Sequence, residues 1–105
     1  MSELTNTALI TGGSRGIGSA IAKRLAADGY LVYITYVSKP ELAHEVCSEI
    51  ESGGGRARSF QLDIGDPEQV QKLFAAEIKD RVRLDVLVNN AGLTKDGLLG
   101  RMKKE

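Results

Sequence analysis

Residues 11–18 read Thr-Gly-Gly-Ser-Arg-Gly-Ile-Gly, between the apolar run Ala8-Leu9-Ile10 and an amphipathic stretch that begins near Ile17. A strand, a glycine turn and a helix therefore follow one another with almost no connecting chain. A strand that passes directly into a helix buries its apolar face only if that helix folds back across the sheet, which is the start of a parallel α/β layer. The same turn suits an anion. The first turn of a helix has unpaired backbone N–H groups and a partial positive charge, and glycines let a phosphate come close to them. Gly12 permits the tight turn off the strand, and Gly16 and Gly18 permit close approach and helix packing. The spacing is G-x-x-x-G-x-G, a longer turn than G-x-G-x-x-G, so the strand before it and the helix after it carry the nucleotide reading.

A second motif lies at residues 84–92, Leu-Asp-Val-Leu-Val-Asn-Asn-Ala-Gly. A short apolar strand runs straight into Asn89, Asn90, Ala91 and Gly92. In open α/β sheets ligands bind beyond the carboxyl ends of the strands, so this polar cluster is expected to face the same crevice as the glycine turn. Taken alone it also reads as a common asparagine turn.

Between the motifs the pattern alternates strand and helix. Strand one is expected near Ala8–Thr11. Helix one runs from about Gly16 to Asp28, with Ile17, Ile21 and Leu25 on one stripe and Gly29 as its stop. Strand two is Leu31–Tyr36. Ser38-x-x-Glu41 reads as a capping box for helix two, whose buried face is Leu42, Ala43, Val46, Cys47 and Ile50 and which ends at Gly53-Gly54-Gly55. Strand three is about Ala57–Leu62. Asp66 is the expected N-cap of helix three, with Pro67 at the first helical position and Gln69 completing a box. That helix buries Val70, Leu73, Phe74 and Ile78. Strand four is Leu84–Val88. The expected fold class is α/β, a Rossmann-like doubly wound parallel sheet of about four strands in the order 3-2-1-4, with helices on both faces. Residues 1–105 form one half-domain.

Composition narrows the function. Fourteen basic and fourteen acidic residues leave no net charge, which suggests neither a nucleic-acid nor a membrane role. No apolar run approaches the length of a membrane helix, and the start Met1-Ser2-Glu3-Leu4 lacks the features of a signal peptide, so a cytoplasmic setting is expected. Cys47, the single cysteine, excludes an intrachain disulfide or a cysteine-built zinc site. No metal site is expected. His44, the single histidine, reads as a partly exposed helix residue.

Taken together, Thr-Gly-x-x-x-Gly-Ile-Gly and Asn-Asn-Ala-Gly closely resemble the short-chain dehydrogenase/reductase family over essentially the whole chain. The run Leu93-Thr94-Lys95-Asp96-Gly97-Leu98-Leu99-Gly100-Arg101-Met102-Lys103 looks most like the 3-oxoacyl-(acyl-carrier-protein) reductase branch. The resemblance implies a nicotinamide cofactor held by Gly12, Ser14, Arg15, Gly16, Ile17, Gly18, Ser38, Lys39, Asp63, Ile64, Asn89, Ala91 and Gly92. In that picture Asp63 and the Ile64 backbone contact the adenine, although Asp63 also reads as the opener of the turn before Asp66-Pro67. Asn89 ties neighbouring strands, and Ala91 and Gly92 lie against the ribose.

The choice of cofactor rests on residues 35–39. A cofactor without a 2′-phosphate is usually held by an acid at the end of strand two. Here Thr35-Tyr36-Val37-Ser38-Lys39 has none, and Glu41 is already explained as part of the capping box. Arg15 and Lys39 are cations that could pair with a 2′-phosphate, and Ser38 could donate to it; either cation also reads as a solvated surface charge. Arginine in the turn with no acid at the strand end resembles the members that prefer NADP(H).

The family's proton donor is a tyrosine with a lysine four residues later, a cation that favours the tyrosinate. Tyr30, Tyr33 and Tyr36 are followed four residues on by Ile34, Val37 and Pro40, so none qualifies and no catalytic residue is assigned. The expectation is the cofactor-binding portion of an NADPH-dependent reductase of 3-oxoacyl thioesters, acting in fatty acid synthesis, with the catalytic half absent. The intact parent would take an acyl-carrier-protein thioester and form a homo-oligomer. A bare edge on strand four would favour self-association of the short chain. Two alternatives stay open: a short-chain reductase of another ketone, steroid or sugar, and a non-catalytic nucleotide-binding or self-associating fragment.

Overall fold

The computed structural model describes residues 4–14 and 16–90. The elements follow in the order β1 (Thr5–Thr11), α1 (Gly16–Ala27), β2 (Leu31–Tyr36), α2 (Pro40–Ser52), β3 (Arg56–Gln61), α3 (Pro67–Leu73) and β4 (Val82–Asn89). The four strands make one sheet in the order β3-β2-β1-β4, and every pairing is parallel. The expected architecture is the observed one. β1 starts earlier than its apolar run suggested, because Thr5 and Asn6 pair with Val82 and Arg83 of β4.

The strand order places the helices. From β1 through β3 the chain steps outward in one direction, then returns across the sheet to β4 on the other side of β1. Right-handed crossovers in opposite directions put their helices on opposite faces. Accordingly α1 and α2 share one face, where Ala22, Ala26, Ala43, Val46 and Ile50 pack on Ala8, Ile10, Val32 and Ile34. The opposite face gathers Leu9, Tyr33, Val82 and Ile78.

α1 presents Gly18, Ala22 and Ala26 to the sheet rather than the Ile17 stripe. Small side chains let the helix lie close to the strands; Ile21 and Leu25 flank the contact, and Ile17 is 68% exposed. α2 corrects a second expectation. Its N-cap is Lys39, in the left-handed region at φ 63° and ψ 64°, with no side-chain cap, so the Ser38–Glu41 box does not form. Pro40 at the helix start fixes the entry instead. Ala43, Val46 and Ile50 are buried as expected, and Leu42 and Cys47 are half-buried.

α3 is capped as its sequence indicated: Asp66 accepts from the Glu68 and Gln69 N–H groups. The Gln69 side chain reaches back further than in an ordinary box, accepting from Asp63 N at 2.9 Å and donating to Asp66 Oδ2 at 3.1 Å. The helix then widens into a π turn at Phe74–Ile78, closed by Lys79 N donating to Phe74 O. Ile78 is buried, Val70 and Leu73 are half-buried, and Phe74 is 39% exposed.

β4 contains a register shift opposite Thr7 and Ala8, which pair with Leu84 and Val86 and leave Asp85 as the extra residue. One inserted residue reverses which face the following side chains take. Val82 and Leu84 therefore join the α3 face, and Val86 and Val88 the α1/α2 face.

The two helix starts make opposite predictions. Asp66→Ala should lower stability by about 1 kcal/mol through loss of its cap. Ser38→Ala should change it by less than about 0.5 kcal/mol, since Ser38 caps nothing. Urea unfolding of the two variants checks both; equal losses would contradict the capping geometry.

Candidate functional site

The sequence motifs converge at the carboxyl end of the sheet because β1 lies between β2 and β4 and all three strands run the same way. The turn after β1 is held from both sides. Gly12 N donates to Thr35 Oγ1 at 3.2 Å and Gly13 N donates to Thr35 O at 3.2 Å, both on β2. On the other side Asn90 Nδ2, just past β4, donates to Gly12 O at 3.0 Å. Thr11 Oγ1 donates to Asn89 Oδ1 at 3.2 Å, which ties the ends of β1 and β4 as Asn89 was expected to tie neighbouring strands.

The glycines serve different needs. Gly12 has φ 68°, a conformation that costs other residues steric energy. Gly18 is a close-approach position: a Cβ there would strike Gly12 O and lie 2.5 Å from Asn90 Nδ2. Space around Gly16 is open, and its φ of 62° is the feature that calls for glycine. The sequence reading passed over Gly13, whose added Cβ would lie 2.6 Å from Ile34 Cγ2. It also passed over Thr35 and the Asn90 side chain; a threonine at a strand end gives no signal until its neighbour across the sheet is known.

Between the turn and the end of β2 lies a cleft of about 180 Å³, lined by Gly12, Ser14, Tyr36, Val37, Ser38, Lys39 and Leu42. It brings together four of the residues expected to hold the cofactor, Gly12, Ser14, Ser38 and Lys39, the last two of them those expected at a 2′-phosphate. Among the described residues no carboxylate lines it. The hydroxyls of Ser14 and Ser38 and the ammonium of Lys39 form a donor set suited to an anion. Asp63 and Ile64 follow β3 at the same end of the sheet, outside this cleft. The Asp63 carboxylate accepts from Gly65 N at 2.9 Å, an Asx turn that serves the turn-opening role read from its sequence. Arg15, Ala91 and Gly92 lie outside the described residues.

The remaining chemically notable groups are away from this end. Tyr33 is buried in the sheet, and its hydroxyl donates to Glu77 O at 3.3 Å. His44 is exposed. Burial pushes the Cys47 thiol above its ordinary pKa, a hydrogen bond with Ser59 partly offsets this, and the nearby Glu51 carboxylate adds to the rise. A larger cleft of about 380 Å³ lies at the opposite end of the sheet, lined by Lys23, Glu49 and the glycines that precede β2 and β3, where none of the motifs reaches. Among the described residues no helix is long and apolar enough to cross a membrane, and no cluster of three metal-ligating side chains occurs.

Comparison with known proteins gives this geometry a family. The model of the short chain dehydrogenase family matches residues 6–105. The chain is 42% identical over 103 residues to a 3-oxoacyl-[acyl-carrier-protein] reductase FabG of Staphylococcus aureus, covering 98% of this chain and 42% of that protein. It is 44% identical over 106 residues to a 3-oxoacyl-[acyl-carrier-protein] reductase of Synechocystis, covering 100% of this chain and 43% of the relative. Among solved structures, a metagenomic short-chain oxidoreductase in complex with NADP superposes with a TM-score of 0.78 at 38% identity, over 88% of this chain and 42% of the other. The chain belongs to the short-chain dehydrogenase family. It spans about two fifths of the length of the curated relatives it matches.

Two outcomes follow from the packing. Gly18→Ala should destabilise the chain by about 1–3 kcal/mol, because its Cβ meets the Gly12 backbone carbonyl as well as the Asn90 side chain, and the backbone cannot swing aside; thermal unfolding measures this. Cys47 should alkylate more slowly than free cysteine at pH 8, with its rate still rising above pH 9, since burial disfavours the reactive thiolate. A rate profile with its midpoint below that of free cysteine would contradict the burial described.

Proposed function

We propose that this chain forms the cofactor-binding part of an NADPH-dependent short-chain reductase that acts on 3-oxoacyl thioesters of acyl-carrier protein, as its curated relatives are named to do. The observation that carries the cofactor reading is the cleft between the glycine turn and β2, which offers Ser14, Ser38 and Lys39 and no carboxylate. The turn is closed to side chains at Gly18 yet open to a ligand along the first turn of α1, and the cleft beside it has the donors that a 2′-phosphate needs.

Each residue then has a stated task. The first-turn N–H groups of α1 hold the pyrophosphate. Lys39 and Ser38 hold the 2′-phosphate, with Arg15 supporting them from the turn. Asp63 and Ile64 border the adenine, Asn89 ties β4 to β1 beside the cofactor, and Ala91 and Gly92 are assigned to the ribose. The bound nicotinamide supplies hydride to the keto carbon. The alkoxide that forms needs a proton, and no tyrosine of this sequence is followed by a lysine four residues later. No proton donor is therefore assigned among residues 1–105. Residues 1–105 are accordingly one dinucleotide-binding half-domain, which associates with further copies in the assembled enzyme.

NADPH and NADH titrated into the chain, followed by amide NMR, test the cofactor reading. Shifts should concentrate at residues 12–18 and 89–92 and be stronger for NADPH. Lys39→Gln should weaken NADPH by about 1–2 kcal/mol through loss of one charge-assisted contact and leave NADH nearly unchanged. Equal binding of the two nucleotides by the unaltered chain would reject the 2′-phosphate assignment. Chain-dependent NADPH oxidation with a 3-oxoacyl thioester would reject the division of labour between the two parts.

A further inference from the structure

We infer that Thr35 is a positioning residue for the cofactor turn: it occupies the first two N–H groups of the turn, so that the pyrophosphate is left to those at the start of α1. The inference rests on the cofactor reading above and goes beyond it to a residue that does not line the ligand cleft. Thr35 is 1% exposed, on the inner part of β2, so it acts through the turn and not by contact with the cofactor.

The geometry is specific to this side chain. One residue supplies two acceptors in succession, its hydroxyl to Gly12 N and its carbonyl to Gly13 N, each at 3.2 Å. A turn that leaves a strand can direct its N–H groups either back toward the sheet or out toward a ligand. Here the first two are directed to β2. The N–H groups of Gly16, Ile17 and Gly18 open α1, where no intrahelical carbonyl precedes them. Asn90 Nδ2 fixes the carbonyl of Gly12 from the opposite side, so the two peptide groups that flank the Gly12 Cα are each held, the first by β2 and the second by β2 and by Asn90 just past β4. Removing the Thr35 hydroxyl leaves Gly12 N–H facing a methyl group in a half-buried position, and the peptide must turn to satisfy it.

This predicts a signature that separates Thr35 from the residues facing the 2′-phosphate. The pyrophosphate is common to NADPH and NADH, so a displaced turn weakens both by the same factor. Loss of Lys39 weakens only the phosphorylated one.

The test compares the unaltered chain, Thr35→Val and Thr35→Ser. Nucleotide titrations are combined with hydrogen exchange of the Gly12 and Gly13 amides in the absence of ligand. Thr35→Val should weaken NADPH and NADH equally, by about ten-fold, and Thr35→Ser should stay within about two-fold of the unaltered chain. Gly12 exchange should quicken in Thr35→Val and recover in Thr35→Ser, while Gly13, held by a backbone carbonyl, stays protected in both. Thr35→Ala removes the same hydroxyl and takes the place of Thr35→Val if the latter does not fold. Unchanged affinity in the hydroxyl-free variant, a loss confined to NADPH, or an unaltered Gly12 amide would overturn the inference. If the unaltered chain binds neither nucleotide, the cofactor reading fails, and the ligand-free exchange comparison still decides whether Thr35 holds the turn.

Discussion

β1 gives both of its backbone edges to hydrogen bonds, one to β2 and the other to β4, and the rest of the molecule is arranged around that position. A central parallel strand cannot end in a hairpin. The chain must leave its carboxyl end through a turn and come back by a crossover. The turn at Gly12 is consequently flanked on both sides by neighbouring strand ends, and its polar groups are taken up by them. Thr35 from β2 and Asn90 beyond β4 bond to the same residue, Gly12, one at its N–H and one at its carbonyl. A nucleotide turn whose shape is set by two different crossovers is rigid in a way that its own glycines could not make it, since glycine by itself brings freedom.

The two faces of the sheet are not equivalent. On one, small residues of α1 let it approach the strands, and Val46 and Ile50 of α2 complete an aliphatic layer. On the other, α3 has no fully buried residue and the π turn contributes Ile78 alone. Leu87, beside Leu9 in the register, is 60% exposed there. What secures the far edge is mostly polar and aromatic. Arg58 lies 4.9 Å from the Phe60 ring centre and 5.9 Å from that of Tyr33, and bonds to Glu77 at 3.0 Å. Exposed pairs of this kind contribute little individually, so this edge is expected to depend on the aromatic packing of Tyr33 against Phe60 more than on the ion pair.

Motif and period made much of the fold legible. β2 was bounded to the residue by its β-branched and aromatic run, and Asp66-Pro67 announced the start of α3. The errors share a cause. Ile17 was assigned to a buried stripe because it is large and apolar, but the contact with the sheet selects small residues, and closeness of approach is a property of two elements together. The Ser38–Glu41 pattern meets the requirements of a capping box, yet Lys39 enters the left-handed region and the box is lost. The register shift at Asp85 leaves no mark in an otherwise regular alternation, although it decides which face Leu84 and Val86 occupy.

The sequence by itself determined the element order, the parallel sheet and the family, because these rest on local propensity, on glycine at strained or crowded positions and on two motifs with the right context. It also placed Ser38 and Lys39 at the end of β2 and noted the lack of an acid there. Only the tertiary structure decided that Thr35 and Asn90 hold the turn and that Gly16 differs in role from Gly18. It also decided that the cleft is bordered by Ser14 on one side and Lys39 on the other. Those relations join residues about twenty to eighty positions apart, and a hydrogen bond across strands depends on register, which the local sequence does not encode.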